Sequence, residues 1–226
     1  LNRELSATID ALAAEREVAV IVLSGGEARG FSAGVEVADH LPATIEAMLA
    51  DFHDVVRALG RCDAVTVAAI HGMALGGGLE LALSCDLVIA EADARLGLPE
   101  IALGCYPPVG AALLPARIGW SAACELVLTG EPLTPDRAHA LGLVTRVCAP
   151  GSLMAVTGEA VSSIVSRSSA VLREAKRALR EGATHESGEA LRRIERRYLG
   201  ELMRLEDASE GIRAFLEKRP PRWRNC

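Results

Sequence analysis

Short runs of uninterrupted apolar residues, each closed by a polar or glycine-rich turn, constrain this chain more than any other feature. Residues 18–23 form one such run, ended by Ser24-Gly25-Gly26; the β-branched run 65–70 is a second and residues 87–90 are a third. A strand that is apolar on both faces has to be covered on both. Alternating with helical periodicity, such runs predict an α/β fold built on a mainly parallel sheet. The spacing predicts helices near residues 5–13, 44–59, 77–84, 121–128 and 135–141, and a last strand at 143–147. From Pro150 onward only helices are expected, at 153–165, 170–180, 189–205 and 208–217.

Charge divides the chain near the same place. Residues 1–166 carry nine basic and 20 acidic side chains, a net of −11, whereas residues 167–226 carry 15 and ten, a net of +5. The boundary falls at the junction Ser166-Arg167-Ser168-Ser169. The expected organisation is an α/β core over residues 1–165 and a C-terminal helical appendage over 166–226. Binding to nucleic acid rests on many cations facing phosphates, and so acidic a body excludes it as the main role. Arg192, Arg193, Arg196 and Arg197 share their stretch with Glu189, Glu195 and Glu201, which reads as a salt-bridged or intersubunit face. Half of the residues are apolar, which excludes a disordered chain.

The longest apolar stretch, 65–90, contains His71, Glu80, Asp86 and three successive glycines, so it is not expected to span a membrane. Six cysteines without a C-x-x-C pair predict free thiols and a reducing, cytoplasmic setting. No histidine or cysteine cluster predicts a metal site. Leu1 stands inside a helical pattern, so a preceding N-terminal segment is expected.

Two glycine-containing turns carry the candidate chemistry. The first is Gly30-Phe31-Ser32-Ala33-Gly34-Val35. The second is His71-Gly72-Met73-Ala74-Leu75-Gly76-Gly77-Gly78-Leu79-Glu80. Consecutive glycines at a helix start remove every Cβ and let a ligand reach backbone N–H groups; a tight turn alone would use them too. Glu80 stands in the first turn of an otherwise aliphatic helix. A desolvated carboxylate there is pushed toward the range useful for proton transfer, unless a local cap or ion pair satisfies it. Glu100, in Gly97-Leu98-Pro99-Glu100, is a second carboxylate on the next return of the chain.

These segments resemble the crotonase (enoyl-CoA hydratase/isomerase) superfamily. The likeness covers the first turn, Ala74-Leu75-Gly76-Gly77-Gly78-Leu79-Glu80-Leu81-Ala82 with Cys85-Asp86, Gly97-Leu98-Pro99-Glu100-Ile101, and Leu128-Thr129-Gly130 through Ala138, Leu141, Gly142, Leu143 and Val144. It implies a crotonase-like ββα superhelix whose C-terminal helices serve trimerisation, in a homotrimer or a dimer of trimers. It implies an acyl-CoA thioester substrate, with CoA part of the substrate and no separate cofactor. Carried over, the N–H groups of Val35 and Gly77 form an oxyanion hole, Glu80 and Glu100 handle water and the α-proton, and Ala33 makes a backbone contact to the CoA adenine.

Arg29, just before the first turn, and the basic tail are candidate phosphate contacts, since Arg matches phosphate geometry. Both glutamates together favour a hydro-lyase over an enoyl-CoA isomerase. Beyond Glu100 the stretch Cys105-Tyr106-Pro107-Pro108-Val109-Gly110 departs from the P-G-A-G-G turn of many hydratases. Pro108 has no N–H, so a backbone donor is expected to be absent and the pocket wall, with Tyr106, reshaped. This stretch and residues 31–40 are similar to cyclic dienoyl-CoA hydratases of the cyclohexa-1,5-diene-1-carbonyl-CoA type. Two other readings are a non-catalytic interaction protein, disfavoured by the intact glutamates, and a Ser-His-Asp protease on the same fold. The protease lacks a nucleophile, because Gly72-Met73-Ala74-Leu75-Gly76 holds no Ser or Cys. His71 is expected to bond backbone, and His40 with Asp39 to face either substrate or solvent.

Overall fold

In the computed structural model, residues 1–40, 43–184, 201, 204–207, 210, 214 and 217–226 are described. The helices expected at 189–205 and 208–217, with their four arginines, fall largely outside these. In chain order the elements are α1 (Asn2–Ala14), β1 (Val20–Ser24), a 3-10 turn (Val37–His40), α2 (Ile45–Arg61), β2 (Val65–Ile70), β3 (Met73–Leu75) and α3 (Gly77–Leu83). Then come β4 (Leu87–Glu91), β5 (Arg95–Gly97), a 3-10 helix (Pro99–Leu103), α4 (Pro108–Ile118), α5 (Trp120–Thr129) and α6 (Pro135–Ala140). The series ends with β6 (Arg146–Cys148), α7 (Leu153–Val165) and α8 (Ser169–Thr184). Among the described residues no helix is long and apolar enough to cross a membrane, and all six cysteines are free thiols.

The main sheet runs β1-β2-β4-β6, with β2, β4 and β6 mutually parallel. Val67, Ala68, Ala69 and Ile70 of β2 are fully buried, as an apolar run covered on both faces must be. A polar clamp holds β2 against β4. Asp86 Oδ2 accepts from the Thr66 N–H at 2.7 Å and from its hydroxyl at 2.9 Å, while the Asp86 N–H donates to Thr66 Oγ1 at 3.0 Å. In α2, Met48, Phe52, Val55, Ala58 and Leu59 recur at helical spacing and are its buried face.

Two compact units share the chain. One gathers Leu1–Ile9, Val22–Arg61 and Thr66–Glu159; the other gathers Asp10–Ile21, Cys62–Val65 and Ala160–Cys226. Cations of the basic tail are occupied within the second unit. Arg173 donates to the carbonyls of Ala13 and Val18 at 2.9 and 3.0 Å. Lys176 donates to the Ala64 carbonyl at 2.8 Å. Arg177 and Arg180 both pair with Asp63. Burial pushes the Asp63 carboxyl up, but these two guanidiniums hold it below its ordinary value.

Three elements differ from the sequence expectation. The last strand is Arg146–Cys148 rather than 143–147. Leu143 and Val144 instead plug the end of α6, both N–H groups donating to the Ala138 carbonyl at 2.8 and 3.2 Å. A second sheet of β3 and β5, paired in parallel, was not foreseen. Strands of three residues are too short to show a period. Helix α4 starts at Pro108, where a fixed φ and a missing N–H suit a first helical position.

The small sheet is built from backbones in contact. The Ser32 N–H donates to the Met73 carbonyl and the Leu75 N–H to the Ser32 carbonyl, both at 3.0 Å, so residue 32 extends the sheet beside β3. A Cβ on Gly78 would lie 2.4 Å from the Ser32 carbonyl oxygen. Gly78→Ala is therefore expected to cost about 3 kcal/mol of stability, the upper range for overpacking against backbone. Gly158→Ala in α7, where the added methyl meets nothing within 4 Å, should instead gain up to about 1 kcal/mol. Urea denaturation of both variants checks the contrast, and equal stabilities would refute it.

Candidate active site

The site begins where the two glycine turns meet. Gly34, at φ +94°, brings its Cα so close to the second turn that a Cβ would lie 3.1 Å from the Gly77 nitrogen. In return, a Cβ on Gly77 would lie 3.2 Å from Val35 Cγ2. Val35 and Gly77 thus sit side by side. Among the described residues neither N–H donates to a protein acceptor. Gly76 makes the turn possible with φ +53° and ψ −128°, a conformation in which a Cβ is strained. Its N–H is anchored on the Gly97 carbonyl at 2.9 Å.

Both glutamates converge here. A Cβ on Gly76 would approach Glu100 Oε1 to 3.1 Å, so the Glu100 carboxylate lies over that turn. Glu80 is 3% exposed and Glu100 8%. Glu80 Oε1 accepts from the N–H groups of Val109 and Gly110 at 2.8 and 2.9 Å. Burial raises the Glu80 carboxyl to about 7; the Gly110 and Val109 N–H groups pull it down, and the neighbouring Glu100 charge pushes it further up. Glu100 is raised as well, mainly by burial. Both carboxyls are thus shifted in the same direction, and for both burial is the largest cause.

The pair opens on a cavity of about 400 Å³. Its apolar wall comes from Ile45, Met48, Leu49 and Phe52 of α2, with Val37 and Leu103. Ala33, Val35, Gly77, Glu80, Glu100, Tyr106 and Pro108, all singled out from sequence, line it. Tyr106 does so from the rim, 65% exposed. Arg29 is exposed and lies outside the lining. Pro108 itself offers no N–H, in line with the sequence reading. Pro108 opens α4, and the next two N–H groups are those that hold Glu80. Proline at a first helical position was the sequence signal for this. His71 bonds backbone as expected, its Nε2 lying 2.9 Å from the Ala28 carbonyl. Sequence reasoning missed the α2 wall, which reads as ordinary core spacing, and left His40 undecided between substrate and solvent. It lines the cavity.

The family profile described as enoyl-CoA hydratase/isomerase matches residues 1–225. The chain belongs to this family. It is 38% identical over 221 residues to a probable enoyl-CoA hydratase of Rhizobium meliloti, covering 97% of this chain and 85% of that protein. To the cyclohexa-1,5-dienecarbonyl-CoA hydratase of Thauera aromatica it is 37% identical over 204 residues, 90% and 79% of the two chains. A crystal structure of enoyl-CoA hydratase from Bacillus anthracis superposes with a TM-score of 0.94 at 30% identity, covering 100% of this chain and 88% of that one. The fold of this hydratase/isomerase family member is accordingly the crotonase fold.

The position of Glu80 makes stability depend on pH with a definite sign. The folded value, about 7, lies above the ordinary 4.5, so between these the folded state keeps a proton that the unfolded state has lost. Stability from this group is present below pH 4.5 and declines as pH rises toward 7, by on the order of 3 kcal/mol. Glu80→Gln removes that dependence while keeping an oxygen for Val109 and Gly110. Urea unfolding at pH 5 and pH 8 should show a smaller loss in the variant than in the wild type; equal losses would contradict burial as the cause.

Proposed function

We propose that the protein adds water across the C=C bond of an enoyl-CoA thioester. What supports this reading most is the meeting of two buried, upward-shifted carboxyls with two unengaged N–H donors in one cavity. Attack of water at Cβ moves the π electrons onto the thioester carbonyl and makes an enolate. In this reading the N–H groups of Val35 and Gly77 receive that negative oxygen, each worth about 3 kcal/mol by analogy with other oxyanion holes. One carboxylate takes a proton from the attacking water and the other carboxyl delivers one to Cα. The sum is addition of H and OH. CoA enters as part of the substrate, with Ala33 at the adenine and Arg29 near the phosphates. A trimer or a dimer of trimers, packed through the C-terminal helices, belongs to the same reading.

A cyclic dienoyl-CoA is the second reading, favoured by the likeness of residues 31–40 and 105–110 to hydratases of that class and by the Thauera aromatica relative. The compact cavity suits a ring. Turnover of crotonyl-CoA and of cyclohexa-1,5-diene-1-carbonyl-CoA, followed by loss of the conjugated thioester absorbance, separates the two. Glu80→Gln and Glu100→Gln should each lower kcat by at least about 100-fold with the better substrate. Wild-type rates in both variants would sink the hydratase assignment.

A further inference from the structure

Two residues lining the cavity each keep a buried side-chain atom that has no hydrogen-bond partner among the described residues: Glu100 Oε2 and His40 Nδ1. Buried polar atoms are nearly always satisfied, so two orphans on one cavity call for a shared partner. The wall also carries the N–H groups of Val35 and Gly77 and the Tyr106 hydroxyl, yet among the described residues none of these bonds either orphan. A carboxylate only accepts, and an imidazole nitrogen without its proton also accepts. One small group with two O–H bonds satisfies both at once. Water is that group, and the proposed reaction consumes it.

We infer that His40 is a positioning residue for the attacking water, its Nδ1 accepting the O–H bond that does not point to the carboxylates. The inference rests on the hydratase reading. With both hydrogens taken, a lone pair of the water oxygen is left facing Cβ. The O–Cβ bond forms, one water proton passes to a carboxylate, and the π electrons move toward the thioester carbonyl. The second carboxyl then protonates Cα. The hydrogen held by His40 stays on oxygen and becomes the product hydroxyl, so His40 neither gains nor loses a proton. His40 is also near enough to Glu100 to act on that carboxyl electrostatically, against the rise from burial. The ring is carried by the 3-10 turn Val37–His40, in which the Asp39 N–H donates to the Glu36 carbonyl at 3.0 Å.

Substitutions that distinguish the two ring nitrogens test this. Asn places an amide oxygen near the position of Nδ1, whereas Gln reaches toward that of Nε2. His40→Leu and His40→Gln are expected to lower kcat for hydration roughly 10- to 100-fold with KM changed less than about twofold, and His40→Asn to recover most of the loss. Calorimetry gives a readout without turnover. The wild type should prefer 3-hydroxybutyryl-CoA over butyryl-CoA, and His40→Leu should narrow that preference roughly 3- to 10-fold, as for one neutral hydrogen bond. Unchanged kcat in His40→Leu, or equal losses in the Leu and Asn variants, overturns the role of His40 and leaves the hydratase reading standing. A wild type that hydrates no enoyl-CoA overturns both.

Discussion

Backbone laid directly on backbone is the constraint from which the site follows. The segment 30–35 crosses the turn 72–78 so closely that a Cβ is excluded at the glycines of both. A Cβ on Gly72 would lie 2.2 Å from the Arg29 carbonyl oxygen, and one on Gly30 would lie 2.7 Å from the Met73 nitrogen. Only glycine permits this approach. Two N–H groups from segments some forty residues apart in sequence are thereby placed side by side without any side chain to hold them. Rigid donors of this kind need no reorganisation when charge develops in front of them.

The same crossing buries the carboxylates. Gly76 leaves room for Glu100 above the turn, and α3 carries Glu80 inward one turn later. Removed from water, neither carboxyl ionises readily, and each discourages ionisation of the other. The two N–H groups at the start of α4 temper this for Glu80 without reversing it. A carboxyl with pKa about 7 is the net outcome of opposed effects, of which burial is the largest.

Much of this was legible in the sequence because it depends on residue type. The run 65–70 matches β2 to the residue, and α7 matches 153–165. The glycines of both turns and the two glutamates were readable from chemistry and from family likeness together. What could not be read depends on distances. The β3 and β5 strands are three residues each, and pairing rather than periodicity defines them. Leu143 and Val144 look like strand residues because a helix plug needs the same apolar bulk. The wall of α2 carries the spacing of any core-facing helix, and nothing in that pattern separates lining a cavity from filling one.

Because α4 begins at Pro108 and holds Glu80 through its first two N–H groups, that carboxyl is anchored to regular structure, while most of residues 101–106 are exposed. Leu103 and Tyr106 face the cavity from that stretch, yet among the described residues no hydrogen bond ties their side chains to either carboxylate. The stretch is therefore tied to the Glu100 segment through backbone, the Cys105 N–H donating to the Glu100 carbonyl at 3.2 Å, while the side chains of Leu103 and Tyr106 stay free to vary. A lineage can rewrite the loop to admit a chain, a ring or a branched acyl group while the reaction centre stays where it is. Diversity of substrates on a single chemistry is then a property of how one short loop is attached.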